Sequence, residues 1–457
     1  MNPVERRTIF SLAGLYSFRM LGLFMVLPVL SLYVSDFKDS TPLLIGLALG
    51  GYGLTQAILQ IPFGMLSDRI GRKPVIIAGL LIFCFGSLVA ANAESAMAIV
   101  MGRALQGAGA IASTVMALAA DVTRDHQRTK AMAFIGVSIG ISFCLALVLG
   151  PVVAGWMGLS GVFLLTAILG LAGIVLVIFV IPNTINIDPL QEEAIAIPGL
   201  LLDTIREPQL WRLNFGVFVL HFVLMASFLV VPQVLENVLK VDRSEHWQIY
   251  LIILLLSALG MLPLMLAAEK FNHLKSSFIG AVLLVGLSQT FLWFGADQRW
   301  LTYTALLIFF VGFNYLEATL PALVSRIVSV GSKGTAMGLY SSFQFLGAFA
   351  GGTIAGLVMG NGEISTVFAM CTVVCGFWFC LSLTMKRPKE TDDLVFHYKG
   401  DDASFTEVVD AIGKLIGVEE ITILVDDKIA YLKVDSQHFD KNQLKTFNPE
   451  VIVNPVS

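Results

Sequence analysis

Gly64–Pro74 reads GMLSDRIGRKP. Asp68, Arg69, Arg72 and Lys73, two glycines and a proline stand between apolar runs at about residues 43–63 and 75–91. Each run is long enough to cross a hydrocarbon core of about 30 Å at about 1.5 Å per residue. So dense a charged turn between two such runs predicts a short cytoplasmic loop joining two transmembrane helices.

The rest of the chain repeats that spacing. Apolar segments recur near 9–34, 43–63, 75–93, 96–120, 131–156 and 161–182, and, after a polar interval, near 211–235, 247–268, 276–295, 300–328, 335–360 and 364–385. The expected fold is an all-α membrane protein of twelve helices in two halves, 1–182 and 211–387, joined by a cytoplasmic linker at 183–210. Composition agrees: of 457 residues 56% are hydrophobic and 14% charged, against about 25% charged in soluble domains. With both termini inside, sixteen lysines and arginines of the membrane part fall on the cytoplasmic side, and only Lys38, Lys240, Arg243 and Arg299 fall outside. That bias follows the positive-inside rule. The arginines at 6 and 7 precede an apolar run too long for a signal-peptide core, so it reads as a retained first helix. The five cysteines, Cys84, Cys144, Cys371, Cys375 and Cys380, all lie in apolar runs and read as buried thiols. The halves echo each other faintly: Arg128-Thr-Lys-Ala-Met-Ala133 opens the fifth segment and Lys333-Gly-Thr-Ala-Met-Gly338 the eleventh.

Residues 388–457 are different. They hold 7 Lys+Arg against 14 Asp+Glu, whereas residues 1–387 hold 22 against 19. Strand-like alternation at Leu394–Tyr398, helical spacing at Phe405–Ile416, strands at Ile421–Val425 and Ile429–Val434, a helix at Phe439–Phe447 and a strand at Val451–Val453 give the order βαββαβ. This predicts a small cytoplasmic ferredoxin-like domain. Metal-binding domains of that order carry ligating cysteines, which this one lacks. It carries no nucleic-acid motif, and its expected role is docking on the cytoplasmic face or on another partner.

The ordered Gly64-x-Leu66-Ser67-Asp68-Arg69-x-Gly71-Arg72-Lys73 resembles motif A of the major facilitator superfamily. On the fourth segment Arg103-x-x-Gln106-Gly107 resembles motif B, whose arginine the family associates with proton coupling. On the fifth, Ala146-x-x-x-Gly150-Pro151-x-x-Ala154-Gly155 resembles motif C, associated with antiporters, with two of its glycines replaced by alanine. The resemblance covers residues 5 to about 387 and implies a secondary transporter of the bacterial inner membrane. Close helix packing through small residues explains motif C equally well.

Elementary electrostatics gives the motif A charges work to do. A carboxylate is stabilised at a helix N-terminus, so Asp68 is expected to meet the start of the eleventh helix near Ser332–Thr335. Arg72 is expected to pair with Asp121. Such contacts would latch the cytoplasmic side; the simpler reading is that these charges only fix topology. Four ionisable groups fall about 12–16 Å inside their segments by helix rise: Arg19, Arg103, His221 and Glu317. Ionisable groups at that depth are costly and default to function. Glu317 is the only deep carboxylate and the leading proton carrier. His221 is either a second carrier or a hydrogen-bonded structural residue. A structural Glu317 would bond a polar neighbour such as Asn314, and Arg19 would hold an anionic group or balance a carboxylate.

Aromatic-rich, polar-poor spans favour a lipophilic or amphipathic small molecule exchanged for protons. No catalytic constellation, cofactor loop or metal cluster is visible in the sequence. Symport, uniport, or a ligand sensor signalling through the C-terminal domain are the alternatives.

Overall fold

In the computed structural model the described residues are 3–123, 125–181, 207–270, 273–328, 333–386, 391–397, 402–424, 429–435 and short stretches between 438 and 455. Most of the linker therefore lies outside them. The first half comprises α1 (Pro3–Phe24), α2 (Leu27–Val34), α3 (Pro42–Ile70), α4 (Arg72–Ala91), α5 (Ala96–Ala108), α6 (Ala112–Asp121) and α7 (Asp125–Phe179). The second comprises α8 (Pro208–Gln233), α9 (His246–Gly260), α10 (Leu262–Lys270), α11 (Leu274–Gly295), α12 (Arg299–Ile327), α13 (Lys333–Asn361) and α14 (Ile364–Leu383). Among the described residues eleven stretches are long and apolar enough to cross a membrane, and that at Ala131–Phe179 has 49 residues. Within it Gly158 adopts φ +66 and ψ −172, which breaks α7 into two crossings.

The motif A stretch is less of a loop than the sequence predicts. Helix α3 runs on through Ile70, and the turn is the single residue Gly71 at φ +96. Charged residues do not stop a helix; the left-handed backbone at Gly71 does, and a side chain there would be strained. The first and fourth segments are each interrupted, at Met25–Val26 and at Gly109–Ile111.

Small residues bring the halves together at one end. A Cβ on Gly46 would overlap the Gly352 carbonyl oxygen, and one on Gly50 would lie 2.7 Å from the Phe349 carbonyl oxygen. Helix α3 of the first half thus packs backbone to backbone on α13 of the second. At the motif A end the picture reverses: Gly136 and Gly140 on α7, and Gly334 and Gly338 on α13, face open space. The halves meet near Asp36, and among the described residues these glycines of the motif A end make no such contact.

Beyond the bundle, β1 (Thr391–His397), α15 (Asp402–Gly413), β2 (Val418–Leu424), β3 (Ile429–Asp435) and β4 (Asn454–Pro455) form an antiparallel sheet in the order β2-β3-β1-β4. Leu394, Phe396, Phe405, Val409, Ile412 and Leu432 fill its core. The predicted strand at Val451–Val453 and most of the predicted helix at Phe439–Phe447 lie outside the described residues; the last described strand is at 454–455. Lys433 Nζ donates to the carbonyls of Ile327 (3.1 Å) and Val328 (3.4 Å), at the C-terminal end of α12. A cation at a helix C-terminus stabilises by roughly 0.3–1 kcal/mol, far less than a core. Ending the chain after Lys389 is therefore expected to leave the bundle monodisperse, with a small drop in Tm. The isolated fragment 388–457 is expected to show mixed α/β circular dichroism; a disordered fragment would contradict the separate core.

Candidate transport site

At the motif A end Arg72 gathers its partners. Its Nε donates to Asp121 Oδ2 at 2.9 Å and its Nη1 to Ser67 Oγ at 2.7 Å and to Asp68. The expected Arg72–Asp121 pair is present. Asp68, with 61% of its side chain exposed, turns to Arg72 on its own side of the opening. Its expected partners at 332–335 lie partly outside the described residues. Arg69 and Lys73 stay at the same surface. A Cβ on Gly64 would lie 3.3 Å from Ser113 Oγ, so this glycine seats α3 against α6.

Motif B ties the first half together. Arg103 is fully buried; its Nε donates to the Ala48 carbonyl (3.1 Å) and its Nη1 to Gln106 Oε1 (2.8 Å), while Gln106 Nε2 donates to Ser87 Oγ (2.8 Å). The guanidinium also lies 5.2 Å from the centre of the Tyr52 ring. These bonds join α3, α4 and α5. Gly107 is needed because a Cβ there would overlap the Tyr52 carbonyl oxygen.

Arg19 sits beside this network. Its Nη2 donates to Tyr52 Oη (2.9 Å), Gln56 Oε1 (2.6 Å) and the Gly109 carbonyl (3.2 Å), the last at the break between α5 and α6. Gln56 passes the chain on to Gln60 Oε1 at 3.2 Å.

Motif C is a packing device here. A Cβ on Gly150 would overlap the Met25 carbonyl oxygen and lie 3.1 Å from Pro28 Cγ, so Gly150 and Pro151 seat α7 in the break between α1 and α2. Tyr33 Oη donates to the Ala154 carbonyl at 2.9 Å. Gly155 faces open space.

In the second half His221 on α8 and Glu317 on α12 come together through Gln344 on α13. Gln344 Nε2 lies 2.8 Å from His221 Nε2 and 3.2 Å from Glu317 Oε1; His221 Nε2 is 3.7 Å from Glu317 Oε2. His221 Nδ1 is 3.1 Å from the Val217 carbonyl. That bond puts a proton on Nδ1 and leaves Nε2 as acceptor of the amide in the neutral ring. A proton added to this cluster has two adjacent bases to occupy. Asn314 is not the partner of Glu317; its Nδ2 donates to Ser257 Oγ at 3.2 Å. Gln344 is the residue sequence reasoning missed, its one signal being an amide within an apolar helix.

The four deep groups form two pairs rather than one cluster. Arg19 and Arg103 share Tyr52 in the first half, His221 and Glu317 share Gln344 in the second. Between the pairs the rings of Tyr52 and Phe345 meet at 6.2 Å.

The closed end carries a charge cluster built around Arg243. Arg243 Nη1 donates to Asp36 Oδ2 across the halves at 3.0 Å and its Nε to Glu236 Oε1 at 2.7 Å, over the Tyr33 ring. Ser31 Oγ donates to the Phe228 carbonyl at 3.4 Å, a second bond between halves. Nearby, Asp39 accepts from the Ala96 N–H (2.9 Å) at the start of α5, which holds its carboxyl below the usual range.

Two packed halves of membrane-crossing helices, closed at one end and parted at the other around buried polar pairs, define a major facilitator transporter. The chain belongs to the Major Facilitator Superfamily, whose profile matches residues 12–316 and again 213–413. It is 42% identical to the inner membrane transport protein YajR of Escherichia coli (strain K12) over 96% of both chains. It is 27% identical to the quinolone resistance protein NorA of Staphylococcus aureus (strain COL), over 74% of this chain and 86% of that one. Among solved structures, a bacterial homolog of the human lysosomal transporter Spinster, inward-facing and occupied, aligns with a TM-score of 0.66 at 15% identity, covering 85% of this chain and 98% of that one. These relatives are transporters, not enzymes.

Proposed function

We propose that the protein is a proton-coupled exporter of a small lipophilic or amphipathic molecule, an antiporter of the bacterial inner membrane working by alternating access. The observation that carries this reading is the Glu317–Gln344–His221 cluster, three polar side chains from three helices at mid-depth of the second half. The lysine and arginine bias supports a cytoplasmic position for both termini and the motif A end, and on that reading the parted end opens inward. The relation to an inner membrane transport protein and to a quinolone resistance protein supports export. The strand order of the C-terminal sheet supports a ferredoxin-like module, and Lys433 docks it on the helix that bears Glu317. The test is solute movement driven by a pH gradient in liposomes containing the purified chain. A sensor would bind ligand without turnover and move no protons.

Asp68 supplies the latch of the opposite state. When the cytoplasmic ends close, its carboxylate meets the start of α13, and in the present state it waits on Arg72. An exposed pair such as Asp68–Arg72 contributes roughly 0–1 kcal/mol, so releasing it costs little. Asp68→Asn is expected to shift the population several-fold towards the inward-open state. Labelling of cysteines introduced at the two ends reads the shift; unchanged labelling with full transport would reduce Asp68 to a topology marker.

A further inference from the structure

We infer that the transported molecule carries an anionic group, which Arg19 receives between the halves. The inference rests on the transport reading above and deepens it to amphipathic organic anions. Arg19 is 2% exposed, and its guanidinium is a cation with five N–H donors and no acceptor. All three of its hydrogen bonds leave from Nη2 and end on neutral oxygens, while Nε and Nη1 have no partner. A buried cation is costly unless an opposite charge meets it.

The sequence-level alternative, that Arg19 balances a carboxylate, fails. The acidic residues of the first half lie at helix ends or in loops: Glu5, Asp36, Asp39, Asp68, Glu94, Asp121 and Asp125. Arg103, the second buried guanidinium, adds to the positive charge instead of cancelling it, and also has an unpartnered nitrogen, Nη2. The deep carboxylate, Glu317, is held in the other half by Gln344. The interior of the first half thus carries two guanidinium charges and no carboxylate at their depth. Such a site attracts an anion.

The surroundings suit the rest of such a molecule. Phe24 and Phe143 meet at 4.9 Å, and Phe143 stacks on Phe313 of the second half at 5.6 Å. Phe313 in turn lies 6.0 Å from the His221 ring. An aromatic path therefore runs from the Arg19 side to the Glu317 cluster. Charge balance adds a consequence: a monoanion leaving against one entering proton moves two positive charges inward. The cycle is then electrogenic and driven by an inside-negative potential, whereas exchange of a monocation for a proton is electroneutral.

The experiment uses one ring system in two charge states, naphthalene-2-sulfonate and a naphthylmethyl-trimethylammonium ion. Binding to the purified full chain is measured by calorimetry, and movement in liposomes under a pH gradient with and without an imposed potential. The sulfonate is expected to bind at least about tenfold more tightly than the ammonium. Arg19→Gln is expected to bring that ratio near one, and Arg19→Lys to restore most of it, with gel filtration showing both variants folded. Sulfonate movement is expected to accelerate under an inside-negative potential in the direction of export. Tighter binding of the ammonium, an unchanged ratio in Arg19→Gln, or no binding of the sulfonate would overturn the anion site. Proton-driven movement of the ammonium alone would overturn it while leaving the transport reading standing. Arg19-dependent sulfonate binding with no movement under any gradient would support the site and refute transport.

Discussion

Glu317→Gln is expected to abolish the dependence of transport on a pH gradient while sparing cargo binding and exchange. A gradient of two pH units supplies about 2.7 kcal/mol per proton, or about a hundredfold accumulation, and the variant should lose all of it. The substitution keeps the size of the side chain and its bond to Gln344, whose amide reorients to accept or donate, but fixes the neutral form. On the proposed mechanism Glu317 is the base that exchanges its proton with both sides. Its side chain is 38% exposed while that of His221 is 7% exposed, so water in the parted end reaches the carboxylate first. His221 is also tied through Nδ1 to Val217 on its own helix. His221→Gln is therefore expected to slow the coupled flux and leave the coupling itself intact. A Glu317→Gln protein that still drives cargo uphill with its proton requirement unaltered would make Glu317 structural and move the carrier elsewhere.

The parts legible in the sequence were those set by length, charge and local backbone need. Segment lengths gave the crossings, and the opposite charges of Arg72 and Asp121 at the same membrane surface gave their pair. Depth alone found Glu317 and His221, because an ionisable group in lipid demands a reason. Partnership was not legible. Gln344 meets both residues from a third helix, and nothing local marks it among other span amides such as Gln233 and Gln289. The Asp36–Arg243–Glu236 group was invisible for the same reason, since loop charges are ordinary until the halves bring them together. The helix breaks at Met25–Val26 and Gly109–Ile111 were also missed. The first carries no glycine; Pro28, which has no N–H to continue the first helix, stands just after it, and Gly150 seats against Met25 in the gap. The motif A turn is shorter than its charges suggest, because charged residues continue the helix and Gly71 alone stops it.

Closure of the Asp36 end rests on backbone contact more than on charge, and Gly46→Ala should show it. An added Cβ would overlap the Gly352 carbonyl oxygen and lie 3.1 Å from Gly356 Cα. Backbone atoms cannot rotate aside as a side chain does, so relief comes from separating α3 and α13. Overpacking of this kind costs about 1–3 kcal/mol, which corresponds to a shift of roughly 5- to 150-fold between the two access states. The Arg243–Asp36 pair, 32% and 60% exposed, opposes that shift weakly, by about 1 kcal/mol or less. Ser31 is fully buried at this end. A cysteine placed there, in a chain lacking its native cysteines, reports the opening to an impermeant maleimide applied from the Asp36 side. Labelling is expected to rise strongly in Gly46→Ala and slightly in Arg243→Ala. Gly280→Ala, where the added carbon faces open space, is the control expected to label as the parent does. Parent-like labelling in Gly46→Ala, with normal transport, would mean that the halves do not close by the contact of α3 with α13. The steric term outweighs the ionic one here, so the glycines of α3 and α13, and not the charges above them, set how tightly this end shuts.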